Sequence, residues 1–288
     1  MITGYGEERQ RSLILDYFGD EARIRFLRHA EAFGAPVFVV DFDRGPRHFR
    51  TLGSFGAGAQ VTEQSSMDML YPARLVFHYE RLMSLALAMS RRTVEALLLG
   101  VGGAAMWRFI RAYLPDCSPT LVDADETIAT IARRWFYLDH PVVAETAQQF
   151  LARSGARYDV VLVDLYDAAG PARFDEAFWT RCLDALAPGG CLTANWADFA
   201  VNPDVRPMTA SLSAVAQTRG FAATFVTRRG FRDNLVQYVP TDLEIGSEAM
   251  TMAQLDGVLE RLVRERHIPD RGRGILENCI VTARFPID

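Results

Sequence analysis

The chain has 288 residues, 49% of them hydrophobic and 23% charged, with a net charge of −5. That supplies a sizeable buried core, in one large domain or in one domain with a small companion. The negative balance gives no general attraction to nucleic acid or to an anionic membrane surface.

Residues 7–33 place Leu13, Tyr17, Ile24 and Leu27 at helical spacing and predict helix. Pro36 to Phe42 is an apolar run that predicts a strand, followed by a turn at Arg44-Gly45-Pro46 and a short strand at 48–52. Residues 53–59 read as glycine-rich loop. From Pro72 the pattern changes, and Leu75, Val76, Tyr79, Leu82, Met83, Ala86 and Leu87 predict an amphipathic helix of about four turns. Short apolar runs at 94–99, 120–123, 141–144, 158–164 and 191–195 suit buried parallel strands. Helical patterns at 106–113, 126–135, 178–186 and 208–218 lie between or after them, and 221–226 reads as a further strand. Residues 248–266 predict another helix and 279–285 a last strand. The alternation implies an α/β fold, a doubly wound and mostly parallel Rossmann-like sheet. We expect a helix and small β-rich segment over residues 1–71 and the nucleotide-binding and catalytic domain over 72–288.

All 31 basic residues are arginine, which excludes a lysine Schiff base and a P-loop. The cysteines, Cys117, Cys182, Cys191 and Cys279, form no CxxC pair and have no histidine at metal-ligand spacing. They read as reduced core residues of a cytoplasmic protein, with no metal. The N-terminus is polar, and no apolar run is long enough for a transmembrane helix.

Three constellations carry chemistry. Gly100-Val101-Gly102-Gly103-Ala104-Ala105 follows a strand and opens a helix, so backbone N–H groups can approach a ligand closely. Asp123 ends the next strand, where a carboxylate accepts both hydroxyls of a ribose. Asp125, beside it, suits the cap of the following helix. Asp164-Leu165-Tyr166-Asp167 ends the fourth parallel strand, at the edge where open α/β sheets keep their active sites. Two carboxylates there can bind an ammonium or take its proton.

Residues 97–190 resemble the spermidine synthase (polyamine aminopropyltransferase) family. Its GGGDGG turn, VEID-like strand end, DxxDPxGP element, aromatic-rich helix and PGG turn correspond in order to LLLGVGGAA, LVDAD, VDLYDAAGP, FDEAFW and APGG. Gly58-Ala59-Gln60-Val61-Thr62 is similar to the family's glycine-then-glutamine strand. Phe77-His78-Tyr79-Glu80 resembles its YHE helix start with two residues exchanged. The resemblance implies a decarboxylated S-adenosylmethionine donor, a small-molecule amine acceptor and a homodimer. It further implies that Asp123 and Ala124 hold the nucleoside with Gly100, Gly102 and Gly103. Asp164 deprotonates the amine, Asp167 helps bind it, and Tyr79 lines its pocket. Gln60, with Gln64 as its rival, contacts the nucleoside. Thr146 occupies the register of the family's adenine-contacting acid, with Glu145 one place early.

Gly103 stands where the family has the aspartate of GGGDGG, which leaves two donors open: decarboxylated or intact S-adenosylmethionine. A methyltransferase on the same scaffold, a non-catalytic nucleoside-binding homologue and, on GxGxxA alone, an NAD enzyme are the competing readings.

Overall fold

The computed structural model describes residues 6–30, 35–55, 60–167, 170–171, 174–196, 205–226, 234–242 and 249–250. Ala249 and Met250, within the helix expected at 248–266, are strand instead; the rest of that helix, the strand expected at 279–285, most of the glycine-rich loop and Cys279 lie outside the described residues.

The chain opens with α1 (Glu7–Phe18) and then four antiparallel strands, β1 (Arg23–Ala30), β2 (Ala35–Arg44), β3 (Arg47–Phe55) and β4 (Val61–Asp68), in that spatial order. The helix expected through Leu27 therefore stops early. Ile24 and Leu27 belong to β1, which pairs antiparallel with β2 around a register shift at Arg25. Arg25 and Arg50 both bond the buried Asp41, at 2.7 and 2.6 Å. One face of this sheet carries Phe38, Val40, Phe42, Phe49 and Phe55, packed with Ile14 of α1. The other carries Val37, Val39, Leu52 and Met67.

The expected four-turn helix is shorter and broken into α2 (His78–Ser84) and α3 (Ala86–Met89). Leu75 instead forms an antiparallel bridge with Met67 of β4, and Phe77 is extended at φ −79°, ψ 145°. Arg81 fixes this approach by donating to the carbonyls of Leu75 and Val76 at 2.9 and 2.8 Å.

Then follow β5 (Glu95–Leu99), α4 (Ala105–Tyr113), β6 (Ser118–Val122), α5 (Glu126–Trp135), β7 (Val142–Val143), α6 (Ala147–Arg153) and β8 (Tyr158–Val163). A two-stranded ribbon of β9 (Tyr166–Asp167) and β10 (Gly170–Pro171) precedes α7 (Glu176–Asp184), β11 (Leu186–Trp196) and α8 (Val205–Thr218). The chain continues through β12 (Thr224–Val226), β13 (Leu235–Pro240) and β14 (Ala249–Met250). The large sheet runs β14-β12-β13-β11-β8-β5-β6-β7. From β7 to β11 every pairing is parallel, whereas β13 is antiparallel to both its neighbours.

All six residues of β8 are buried, as a central parallel strand covered on both faces requires. Along β5, Ala96 and Leu98 pack with Leu82, Met83, Trp107 and Ile110. Leu97 and Leu99 pack with Phe150, Phe178, Trp179 and Leu212 on the opposite face. Helix α5 faces the small sheet through Ile128 and Ile131. That packing brings β4 over the carboxyl ends of β5 and β6.

Candidate active site

The chain runs outward from β5 through β6 to β7 and then returns to β8 on the other side of β5. A crevice opens beyond the carboxyl ends of strands at such a reversal. A cleft of about 340 Å3 lies there, between the strand ends, β4 and the start of α2. Gly100, Val101 and Gly102 follow β5, Asp123 and Ala124 follow β6, Asp164 follows β8, and Asn195 lies near the end of β11; all line the cleft.

Gly100 has φ +94°, a conformation side chains rarely adopt. A Cβ there would also lie 2.9 Å from the carbonyl carbon of Asp164 and press on its oxygen. Glycine therefore lets β5 and β8 converge at the cleft. Asp123 completes the turn: Oδ2 accepts from Val101 N at 2.9 Å and Oδ1 from Asp125 N at 3.0 Å. Burial raises the Asp123 carboxyl above its ordinary range, against these backbone hydrogen bonds. Asp125 caps α5 as expected, accepting from Thr127 N at 2.8 Å.

Asp164 is anchored from both ends. Its backbone N–H donates to Leu99 O at 2.9 Å, and its Oδ1 accepts from Asn195 Nδ2 at 2.8 Å. Burial pushes its carboxyl up, and the Asn195 amide opposes the shift. A carboxylate moved upward in this way is a stronger base toward an amine. Asn195 is 6% exposed, and among the described residues its Oδ1 has no hydrogen-bond partner. That leaves a buried acceptor beside the base. Nothing in the sequence pattern singled out Asn195; it becomes visible once β11 pairs with β8.

A recess of about 40 Å3 opens off the cleft. Gln64, Tyr79, Gly100, Val101, Gly102 and Asp164 border both spaces, and Glu80 lines the recess alone. Burial first, and then the charge of Asp164, push Glu80 up to about 7.

Other expected site residues separate. Gly103 lines neither space, and a side chain there would meet Ser65 Oγ at 2.6 Å and Phe136 at 3.2 Å. Its carbonyl accepts instead from the buried Arg108, which also donates to Pro72 O and Phe136 O. Gln60 is exposed just before β4 and does not line the cleft, whereas Gln64 does. A register shift pairs Leu52 with Ser65 but Gly53 with Glu63, so Gln64 is the extra residue of a bulge, which re-aims its side chain. Thr146 caps α6, accepting from Gln149 N at 3.2 Å. Glu145 pairs with Arg153 at 2.8 Å, and neither reaches the cleft. Asp167 lies on β9, and its side chain is outside the described part. A larger groove of about 660 Å3, between β1 and α5, is lined by Arg11, Arg25, Arg28 and Arg134 and holds none of the strand-end carboxylates.

Residues 76–238 match the model of the spermine/spermidine synthase domain. The chain belongs to this family. Its domain spans more than half of the sequence and contains every strand-end residue of the cleft. The polyamine aminopropyltransferase of Neisseria meningitidis serogroup A is 34% identical over 146 residues, 47% of this chain and 54% of that protein. The chain thus spans about half the length of the curated relatives it matches. Among solved structures, a probable spermidine synthase from Corynebacterium glutamicum is similar in fold, with TM-score 0.64 and 19% identity over 84% of this chain and 88% of that one. Spermidine synthase from Thermotoga maritima gives TM-score 0.56 and 13% identity over 77% and 74%. Among the described residues no helix is long and apolar enough to cross a membrane, and no three metal-ligating side chains cluster.

Proposed function

We propose that the chain is an aminopropyltransferase, moving the three-carbon ammonium-bearing chain of decarboxylated S-adenosylmethionine to a polyamine-type acceptor. The observation that carries this reading is the charge of the site. Glu63, Asp123, Asp125 and Asp164 line the cleft and Glu80 the recess, while no arginine lines either among the described residues. Such walls favour cationic ligands and repel a methionine carboxylate. The polyamine aminopropyltransferases among the relatives support the same substrate class.

The residues present fit a nucleoside. The Gly100 turn permits close backbone approach, and the Asp123 carboxylate, although it accepts from backbone N–H groups of its own turn, keeps acceptor capacity for a ribose hydroxyl. When bound, the donor supplies a carbon activated by its sulfonium. Asp164 takes a proton from the acceptor ammonium and exposes the nitrogen lone pair. The nitrogen then bonds to the activated methylene carbon. That carbon's bond to sulfur breaks, its electrons return to sulfur, and neutral methylthioadenosine leaves. Asn195 orients Asp164 through Nδ2 and offers Oδ1 to an acceptor N–H. Holding the two substrates in line supplies much of the acceleration.

The test is release of methylthioadenosine from decarboxylated S-adenosylmethionine across putrescine, cadaverine and spermidine. Asp164→Asn should lose turnover by roughly 100-fold or more while binding methylthioadenosine as the native protein does. Unchanged turnover would remove Asp164 as the base. Methyl transfer from intact S-adenosylmethionine, with the decarboxylated donor inert, would overturn the function. A cytoplasmic homodimer completes the proposal. The free thiols of Cys117, Cys182 and Cys191 suit a reducing compartment, and sedimentation analysis reads the oligomer.

A further inference from the structure

Glu80 carries a buried carboxylate to which, among the described residues, no counter-ion is bonded. It lies in the first turn of α2 and is 4% exposed. Its Oε2 accepts from Phe77 N at 3.0 Å, and among the described residues no other hydrogen bond reaches the carboxylate. The cations nearest in charge are Arg81 and Arg108. Arg81 donates to the carbonyls of Leu75 and Val76, and Arg108 to those of Pro72, Gly103 and Phe136. Neither forms an ion pair with Glu80. The next charge is Asp164, of the same sign, on the wall of the same recess. His78 and Tyr79 precede Glu80 on the same turn.

A buried carboxylate is costly unless paired, and two of them in one recess more so. Of the remaining walls, Met83, Leu98 and Leu162 are apolar, and Gln64, Ser65 and Tyr79 are polar but uncharged, so among the described residues none supplies a cation. A cation entering from the cleft relieves this cost. The recess, about 40 Å3, holds two or three heavy atoms, given that a water-sized group needs roughly 10–15 Å3. That suits a primary ammonium and the methylene beside it. The glycine turn cannot supply this anion itself, because a side chain at Gly103 meets Ser65 and Phe136.

We propose that Glu80 is the specificity-determining residue for the donor, receiving the primary ammonium at the end of its alkyl chain beside Asp164 and turning away a donor that keeps a carboxylate. This rests on the aminopropyltransferase reading and names the side chain that sets its choice of donor. The ammonium, once bound, favours ionised Glu80, so donor affinity should rise as the pH increases through about 7.

Calorimetric titration without acceptor amine tests this, using decarboxylated S-adenosylmethionine, intact S-adenosylmethionine and methylthioadenosine. Glu80→Gln keeps an acceptor for Phe77 N and removes the charge. The expected result is a loss of roughly tenfold or more in affinity for the decarboxylated donor, with methylthioadenosine unchanged. Glu80→Asp should recover part of the loss. The native protein should bind the decarboxylated donor more tightly at pH 8 than at pH 6, a difference absent for methylthioadenosine and abolished in Glu80→Gln. This last reading on the native protein needs no variant to fold. A native preference for the decarboxylated donor that survives in Glu80→Gln, or that has no pH dependence, overturns the role of Glu80 and leaves the function standing. A native preference for intact S-adenosylmethionine overturns both.

Discussion

Replacing Gly100 with alanine puts a methyl group where β5 and β8 come together. Two costs add. The backbone at φ +94° is strained for any residue with a Cβ, by about 1–2 kcal/mol. The methyl also lies 2.9 Å from the Asp164 carbonyl carbon, which sits on a rigid strand end and not at the tip of a flexible side chain. Overpacking of that kind costs about 1–3 kcal/mol. The total is about 2–5 kcal/mol, and relief requires moving the backbone that carries Asp164. Gly102 is the internal control. It has φ +49° but its nearest neighbour is Ser65 Cβ at 4.0 Å, so Gly102→Ala meets the strain of about 1–2 kcal/mol alone. Urea unfolding followed by tryptophan fluorescence separates the two. With a slope of a few kcal/mol per molar, the Gly100→Ala midpoint should fall by roughly 1 M and well below that of Gly102→Ala. Methylthioadenosine binding should weaken with it. Coincident unfolding curves for the two variants would refute the argument from close approach.

Two further expectations concern protons. Asn195→Ala removes the hydrogen bond that, among the described residues, opposes the upward push of burial on Asp164, so the acid limb of the kcat/KM profile should move to higher pH; an unmoved limb would show that Asn195 does not set the base. Glu80 titrates at about 7 in the fold against roughly 4.3 in an unfolded chain, so the folded form holds its proton more tightly. Its contribution is therefore fully present below the unfolded value and lost as pH rises through 7, by about 4 kcal/mol in all. Urea unfolding at pH 5 and pH 8 should show native stability falling more steeply than that of Glu80→Gln, and parallel slopes would refute this.

The sheet was legible where one physical signal dominated. The all-buried β8 reads as an apolar run, and α5 reads from its apolar periodicity together with the Asp125 cap. Asp123 and Asp164 followed from their place after strands. β1 was hidden because Ile24 and Leu27 also stand at helical spacing, and only pairing with β2 decides between the two. The antiparallel β13 and the short α6 show no long period that would mark them in the sequence. Gln64 displaces Gln60 through a bulge that no local pattern reveals. Thr146 and Glu145 stand near the register of the family's adenine-contacting acid, and in the fold they cap and brace α6. Glu80 reads as an ordinary helix-start acid until α2 is packed against the strand ends.

Asp123 binds Val101 N and Asp125 N within the protein itself. The loop that meets the nucleoside is therefore already ordered by the side chain that would grip the ribose, and little conformational freedom remains to be lost on association. Entry should resemble a key meeting a finished lock, with backbone shifts under about 1 Å. The same economy makes the position brittle. Exchanging Asp123 dismantles the loop along with the contact, so weakened binding in such a variant reports on both at once.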